Sequence, residues 1–246
     1  VSTQSTGEIF NTLCTSCDNP NKKQLDWVVD FAKSHVIPGL CMKETELLTW
    51  LETDADYEYD DNSLKAGCED AVGNLASLFG KKRMLELILE QFDQALKTGE
   101  WQKCSSALNC LQYASEELGN GLKQAEADKL IEKLIPMLNH NNPRVRYECL
   151  NCIAILSDDF KPRLQKHHKQ ILPLLIQQTQ DENLKVQCIL QRLQMKIVEL
   201  LNFRPVFAEL AKAEFACDVS VNEAQNRLII WQCSQDTHTA LLGCCD

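Results

Sequence analysis

The stretch that decides the fold is residues 130–156, which read LIEKLIPMLNHNNPRVRYECLNCIAIL. Apolar side chains recur every three or four residues, first from Leu130 to Leu138 and then from Val145 to Leu156. This is the spacing of one face of a helix. Between the two runs lies the polar turn 140–142, and Pro143 after it suits the first position of a helix. Two helices joined by so short a turn are predicted to lie antiparallel.

The same helix pair recurs along the chain. The tripeptide Leu-Asn-Cys at 108–110 returns 42 residues later at 150–152. Further apolar stripes pair 85–96 with 104–115, and 171–176 with 186–197. A period of about 40–47 residues made of two helices is typical of HEAT and armadillo repeats. The sequence therefore predicts an all-α fold, a HEAT-repeat α-solenoid in which antiparallel helix pairs form a right-handed superhelix and share a continuous core.

Four segments are predicted along the chain. They are irregular HEAT-like helix pairs at 1–51, an acidic loop at 52–63, regular HEAT repeats at 64–200 and a divergent helical segment at 201–246. In the first segment we expect 22–35 to pair with 8–17, and 41–51 to start another pair. The apolar C-terminal end lacks the polar cap of a complete solenoid, so we expect either a piece of a longer chain or an unusual end of the solenoid.

The acidic loop is the densest charge run of the sequence. It carries six acids and no base between positions 52 and 61, and such like charge resists compaction. We expect an exposed loop that attracts basic partners; the alternative is a loop that only increases solubility. Its acids are Glu52, Asp54, Asp56, Glu58, Asp60 and Asp61.

Composition narrows the function classes. The formal net charge of −10 disfavours nucleic acid and anionic membranes and favours basic partners. No stretch approaches the roughly 18 uninterrupted apolar residues of a membrane span, and the first twenty residues do not resemble a signal peptide. We find no phosphate-binding loop and no nucleophile motif, so we expect no enzyme and no cofactor.

The cysteines and tryptophans are expected to have structural roles. Without a secretion signal, the 13 cysteines are expected to be reduced thiols. Cys149 and Cys152 have zinc-like spacing but lie on an apolar helix stripe, so we expect core thiols and no metal. The tryptophans, Trp27, Trp50, Trp101 and Trp231, are expected to serve in core or inter-repeat packing.

Two acid pairs at the ends of second helices are the candidate binding residues. Glu116-Glu117 recurs 42 residues later as Asp158-Asp159, where carboxylates oppose the helix dipole. Adjacent helices pack about 8–10 Å apart, and an extended peptide advances roughly 3.3 Å per residue. Acid pairs on neighbouring helices therefore match basic side chains about three residues apart in a bound peptide. We also expect Asn109 and Asn151 to bind the peptide backbone. The alternative is that these acids only solvate the helix ends.

Arg144 and Arg146 follow the turn and allow two interpretations. One is contact with nucleic acid. The other is structural, because in HEAT stacks this arginine commonly binds the turn aspartate of the following repeat. On that interpretation we expect Arg146 to pair with Asp181.

Asn142-Pro143-Arg144-Val145-Arg146-Tyr147, followed by Asn151 and Asp158-Asp159-Phe160, resembles a HEAT repeat of the importin-β (karyopherin-β) family. An acidic loop after a Leu-Leu-x-Trp-Leu helix and Glu100-Trp101-Gln102-Lys103 stand in the same order as in that family. The resemblance covers about residues 25–200 and is nearest to the central repeats of the branch that carries ribosomal proteins and histones. It departs at His140, where aspartate is usual, and it does not extend to 201–246.

The resemblance implies a segment of a nuclear transport receptor that binds basic import signals on an acidic concave face. The implied partners are basic cargo proteins, the Ran GTPase through the full receptor, and nucleoporins, in the cytoplasm and the nucleus, with no nucleic acid and no membrane span. One alternative is a HEAT-repeat scaffold or adaptor subunit that holds protein partners. Another, a microtubule-binding array, needs basic turns, and the turns 98–100 and 181–183 are not basic.

Overall fold

A computed structural model of the 246-residue chain describes residues 22–52, 64–119, 121–160 and 163–190. Contacts divide the chain into two units, Val1–Ile197 and Val198–Asp246, and all described residues belong to the first. The helix expected at 8–17, the end of the one expected at 186–197, and the segment 201–246 with its Trp231 lie outside the described residues.

Helices account for the regular structure, and the four described ranges contain no strand. None of their helices is both long and apolar enough to cross a bilayer. The helices are α1 (Lys22–Phe31, continued by the π-helical turn Ala32–Val36 and by Ile37–Gly39), α2 (Glu44–Glu52), α3 (Leu64–Thr98), α4 (Trp101–Gly119), α5 (Gln124–Leu134, continued by the 3-10 turn Ile135–Asn139), α6 (Pro143–Asp159) and α7 (His168–Gln178, preceded by the 3-10 turn Leu164–His167). Residues 184–190 are again helical.

Two glycines divide the helices into the units of the stack. Gly80 interrupts α3 at φ 67° and ψ 167°, and Gly99 follows the end of α3 at φ 67°. Only glycine adopts such a left-handed φ without a steric penalty. The chain therefore changes direction twice, and α3 serves as two helices, one on each side of Gly80.

Equivalent side chains start the helices that follow the short turns. The Asn142 Oδ1 atom accepts a hydrogen bond from the Arg144 N–H at 2.9 Å, and the Asn183 Oδ1 atom accepts one from the Lys185 N–H at 3.0 Å. Each side chain thereby satisfies a backbone donor that has no partner within the first turn of its helix. The repeat predicted from the sequence thus extends to its helix caps.

The helices pack as a stack of antiparallel pairs. The second half of α3 packs on α4, α4 packs on α6, and α5 packs on α3 within one continuous core. The largest fully buried side chains include Phe92, Leu108, Leu130 and Phe160, and each stabilises the fold by about 1.5–3 kcal/mol relative to an exposed side chain. The predicted all-α solenoid is confirmed.

The first pair differs from the prediction. Residues 41–51 were expected to start a helix pair, but the helical run from α1 to Gly39 packs against α3 instead. Residues Leu40–Glu52, here called the insert, lie in the sequence between the helical run that ends at Gly39 and the first half of α3. Leu40 is buried in the main core. The other buried side chains of the insert, Met42, Leu47 and Trp50, form a separate cluster that contacts Trp101 and Tyr147. The nine-residue α2 has only one buried face, which is too little for a member of the stack.

Trp27 also departs from the expected packing. Its side chain is 53% exposed and stacks on Phe31 with ring centroids 5.6 Å apart. In contrast, Trp50 is only 3% exposed, and Trp101 is half-buried against the cluster of the insert. Packing therefore accounts for two of the four tryptophans, while Trp27 lies at the surface.

Candidate functional site

In three successive pairs the second helices are the first half of α3, then α4, then α6. A repeated hydrogen bond joins these second helices at their C-terminal ends. The Ser77 hydroxyl on α3 donates to Glu117 Oε1 on α4 at 3.2 Å, and the Ser115 hydroxyl on α4 donates to Asp159 Oδ2 on α6 at 2.6 Å. We call these contacts the serine–carboxylate rungs. They fix the orientation of one acid on each of two neighbouring helices.

The other two acids of the predicted set lie beside the rungs. Glu116 precedes Glu117, Asp158 precedes Asp159, and both side chains are exposed. Glu117 is exposed as well, whereas Asp159 is half-buried. The structure therefore places all four carboxylates at the C-terminal ends of the neighbouring helices α4 and α6.

A close helix contact holds these ends together. A Cβ atom added to Gly119 at the end of α4 would lie 2.4 Å from the Asp159 carbonyl oxygen at the end of α6. A side chain there would have to displace backbone, so the two acid-bearing ends approach this closely because residue 119 is glycine. The Arg163 Nη1 atom also donates to the Gly119 carbonyl at 3.1 Å.

The two predicted asparagines have different surroundings. Asn151 is half-buried and its Nδ2 atom donates to Gln112 Oε1 on α4 at 3.1 Å, which places an amide pair between neighbouring second helices. Asn109 is only 3% exposed, and its Nδ2 atom donates to the Ser105 carbonyl at 3.1 Å and to the Leu40 carbonyl at 3.4 Å. Asn109 therefore holds the insert and does not face solvent, contrary to the peptide-binding role predicted for it.

The insert occupies the opposite, N-terminal ends of the same second helices. Besides the Asn109–Leu40 contact, Gln102 Nε2 on α4 donates to Glu44 Oε2 at 3.5 Å. The Trp50 ring lies 5.0 Å from the Arg144 guanidinium carbon and 4.7 Å from the Lys185 ammonium nitrogen. The second-helix side is thus divided between ends that the insert contacts and ends that carry the four acids.

Both arginines that raised the nucleic-acid interpretation make internal contacts. Arg144 Nε donates to Glu148 Oε1 at 2.9 Å and the side chain is almost fully buried. Arg146 forms a two-point ion pair with Asp181, with Nε to Oδ2 at 2.6 Å and Nη2 to Oδ1 at 2.8 Å. Its Nη1 atom also donates to the His140 carbonyl at 2.7 Å. These contacts join α6 to the turn of the next pair and favour the structural interpretation.

His140 occupies, one repeat earlier, the turn position of Asp181. Its Nδ1 atom accepts the Asn142 N–H at 3.0 Å, as Asp181 Oδ1 accepts the Asn183 N–H at 2.8 Å. Its Nε2 atom lies 3.2 Å from the Gly99 carbonyl oxygen. The histidine therefore keeps the local turn contact of an aspartate and adds a contact to the preceding turn.

The buried cysteines are neutral thiols of the core. Cys149 and Cys152 are fully buried on α6, and burial raises the pKa of both thiols well above the ordinary value. Burial also raises the pKa of Cys110 to about 12 and that of Cys104 to about 11. In the part of the chain that the structure describes, no group of three or more His, Cys, Asp or Glu side chains is placed to hold a metal ion.

Of the predicted acidic loop, the described residues include only Glu52, an exposed side chain at the end of α2. Asp54, Asp56, Glu58, Asp60 and Asp61 lie outside the described residues.

Sequence reasoning missed the serines of the rungs and the insert. The repeat contains a signal for Ser115, because Ser115 directly precedes Glu116 just as Ser157 directly precedes Asp158. It contains none for Ser77, because the residue 42 positions after Ser77 is Gly119. No comparable signal marks the insert, since its partners lie in three later repeats.

Comparison with known proteins supports the predicted repeat type and identifies a similar import receptor subunit. The HEAT repeat family matches residues 130–160. The importin subunit beta-3 of Saccharomyces cerevisiae is 28% identical over 134 residues, which cover 54% of this chain and 12% of that protein. This chain thus carries a HEAT repeat and is similar to part of the importin subunit beta-3, of whose length it spans a small part.

Solved karyopherin structures have the same fold. Kap121p bound to the SUMO protease Ulp1p has a TM-score of 0.70 at 20% identity, covering 97% of this chain and 25% of that one. Kap121p bound to RanGTP has a TM-score of 0.68 at 22% identity, covering 80% and 20%. Kap121p bound to Nup53p has a TM-score of 0.68 at 20% identity, covering 90% and 22%. At these identities the likeness shows the HEAT solenoid fold.

Proposed function

We propose that this chain is the part of a nuclear transport receptor that binds the basic import signals of cargo proteins. The site is the C-terminal end of the second-helix side, which corresponds to the concave face of a HEAT solenoid. The observation that carries the proposal is the serine–carboxylate rung, present at Glu117 and again at Asp159 on the next second helix.

The geometry of the rungs suits a lysine-rich extended segment. Neighbouring helices pack about 8–10 Å apart, and a peptide that advances roughly 3.3 Å per residue presents a side chain to each rung at every third position. In each rung the serine hydroxyl donates to one carboxylate oxygen, and a carboxylate has acceptor capacity for further donors such as an ammonium group. Glu116 and Asp158 add negative charge beside the rungs.

The same side offers a contact for peptide backbone. The amide pair of Asn151 and Gln112 lies between the two helices that carry the acids. An asparagine has both donors and acceptors, so it can bind an N–H or a carbonyl of an extended chain. We propose Asn151 in this role and leave out Asn109, because its amide nitrogen donates to Ser105 and Leu40.

The homology supplies the wider partners of the proposal. Crystal structures show Kap121p bound to RanGTP and to Nup53p. The similar yeast protein is an importin subunit. We therefore propose the Ran GTPase and nucleoporins as partners through the full receptor, in the cytoplasm and the nucleus, with cargo of the ribosomal-protein and histone kind. The acidic loop speeds the capture of such cargo electrostatically.

A short peptide tests the site. A fluorescein-labelled nonapeptide with lysine at every third position is titrated with the chain at several salt concentrations, and its anisotropy is followed. We expect saturable binding that weakens as salt rises. The E117Q/D159N variant removes two charges and keeps the hydrogen-bond acceptors, and we expect its Kd to rise about tenfold, the equivalent of about 1.4 kcal/mol.

The matched control is E132Q/E182Q, which removes two exposed acids away from the rungs and should leave the Kd unchanged. Equal peptide binding by E117Q/D159N and the control would overturn the proposal. Absence of binding, together with salt-insensitive binding of a protein partner, would favour the scaffold or adaptor function instead.

A further inference from the structure

A groove lies between α1 and the second half of α3, which are the first helices of two consecutive pairs. Its volume is about 440 Å³, and Val29 and Leu87 contribute its apolar lining. The groove belongs to the first-helix layer, whereas the serine–carboxylate rungs lie on the second helices. It is therefore a separate surface from the proposed import-signal site.

Two ion pairs between the helices lie at the two ends of the groove. At one end, Arg83 Nη1 lies 4.0 Å from Asp26 Oδ1, and at the other end Lys33 Nζ lies 2.6 Å from Glu90 Oε2. Both pairs join α1 to α3 in the same order along the chain, so the two helices run parallel. The four charges of these pairs compensate each other.

The centre of the groove has an uncompensated negative charge. Asp30 on one wall and Glu86 on the other are exposed, and within the described ranges neither carboxylate has a cation at ion-pair distance. Asp30 and Glu86 line the groove between its two neutralised ends, together with the half-buried Val29 and the largely buried Leu87. An anionic ligand is repelled here, and a neutral apolar ligand leaves both carboxylates without a partner.

We propose that this groove is a docking site for an arginine-bearing segment of a partner protein. The aliphatic part of the arginine side chain packs on Val29 and Leu87, as long basic side chains do when their charged end stays hydrated. The guanidinium group lies between Asp30 and Glu86, because its donors point in several fixed directions and can reach two carboxylates at once. Lysine, a compact point charge, binds this centre less well.

The experiment isolates the groove from the import-signal site. The charge-reversed variant E116K/E117K/D158K/D159K serves as background, so that the rungs no longer bind a basic peptide. With methyl-labelled protein, hexa-arginine is titrated and the NMR shifts of Val29 and Leu87 are followed. We expect these methyl signals to shift and saturate, with hexa-lysine binding several-fold more weakly.

Adding D30N/E86Q to this background should raise the Kd for hexa-arginine about five- to tenfold, the range expected when two exposed ion pairs are lost. The matched addition E132Q/E182Q should leave the Kd unchanged. An unchanged Kd with D30N/E86Q, or saturating shifts elsewhere but not at Val29 and Leu87, would overturn the docking site. Because the rungs are already reversed, either result is independent of the import-signal proposal.

Discussion

The Lys185 ammonium group donates a hydrogen bond to the carbonyl oxygen of Trp50, a residue 135 positions earlier in the chain. The same ammonium nitrogen lies 4.7 Å from the centroid of the Trp50 ring, and the Arg144 guanidinium carbon lies 5.0 Å from it. Lys185 and Arg144 start the second helices of two consecutive pairs. One tryptophan thus connects two repeats through cation–π contacts with nearly buried cations.

Replacing Trp50 by alanine is expected to lower the free energy of unfolding by about 3–5 kcal/mol, because a buried ring is lost and two cations lose its electron-rich face. Trp27→Ala is the matched control, since that ring is 53% exposed, and it should cost less than about 1 kcal/mol. Urea unfolding followed by circular dichroism measures both values. Similar costs for the two variants would contradict the role given to Trp50.

The Arg146–Asp181 pair predicts a second stability effect. Asp181→Asn leaves a largely buried guanidinium without its charged partner, so we expect a loss of about 3 kcal/mol in unfolding free energy. Arg146→Lys keeps the charge but loses the two-point geometry and should also destabilise. The control is Glu100→Gln, which breaks the exposed pair with Lys103 and should cost less than about 0.5 kcal/mol. A loss at Asp181 no larger than at Glu100 would show that the ion pair does not stabilise the turn.

Two glycines of second helices should respond in opposite directions to alanine. At Gly119 the added Cβ would lie 2.4 Å from the Asp159 carbonyl oxygen, so we expect a cost of about 1–3 kcal/mol from displaced backbone. At Gly73, inside α3, the nearest atom to the added Cβ is the Tyr113 carbonyl oxygen at 4.0 Å. Alanine there should stabilise by about 0.5–1 kcal/mol through helix propensity. Thermal melting measures both, and a stable Gly119→Ala protein would refute the close contact.

The buried thiols predict a loss of stability in alkaline solution. Burial raises the pKa of the Cys110 thiol from its ordinary 9.0 to about 12 in the folded chain. The unfolded chain therefore loses this proton first, so the contribution is fully present below pH 9.0 and is lost as pH rises towards 12. Cys110→Ala should remove part of this dependence in urea titrations between pH 8 and 10. An unchanged pH slope in that variant would mean that other groups cause the loss.

The same thiols should resist alkylation in the folded protein. Only the thiolate reacts, and Cys110 and Cys152 are fully buried with a raised pKa. Iodoacetamide at pH 8, followed by peptide mapping, should modify both only after urea unfolding. Rapid modification of either in the native protein would show that α4 or α6 opens locally.

Local repetition is why much of the stack is predictable from the sequence. The apolar stripes from Leu85 onwards, the turn before Pro143 and the 42-residue shift all depend on contacts within one repeat or between adjacent ones. The prediction that Arg146 meets Asp181 used the same logic, and the structure has that ion pair. Asn109 shows where the logic ends. Its repeat position equals that of Asn151, yet the two side chains have different neighbours because the insert lies over only one of them.

The packing of the insert could not be predicted from the sequence, for a physical reason. Its apolar positions Leu47 and Trp50 indicate an amphipathic helix, and nothing in that pattern identifies the surface that covers them. The residues that contact the insert lie on α4, on α6 and at Lys185. The repeat period of the sequence does not relate the insert to these residues. The contact is cationic and aromatic, so it leaves no complementary apolar stripe in the partner helices.

The contact between Trp50 and Lys185 has a consequence for how the chain acquires its fold. Arrays of repeats usually gain stability one neighbour at a time, and they can nucleate anywhere. A bond that closes a 135-residue separation cannot form until the intervening helices are in place, because closing so long a loop is entropically unfavourable. We therefore expect the contact between the insert and Lys185 to form last, and the three repeats that it spans to melt as one cooperative unit.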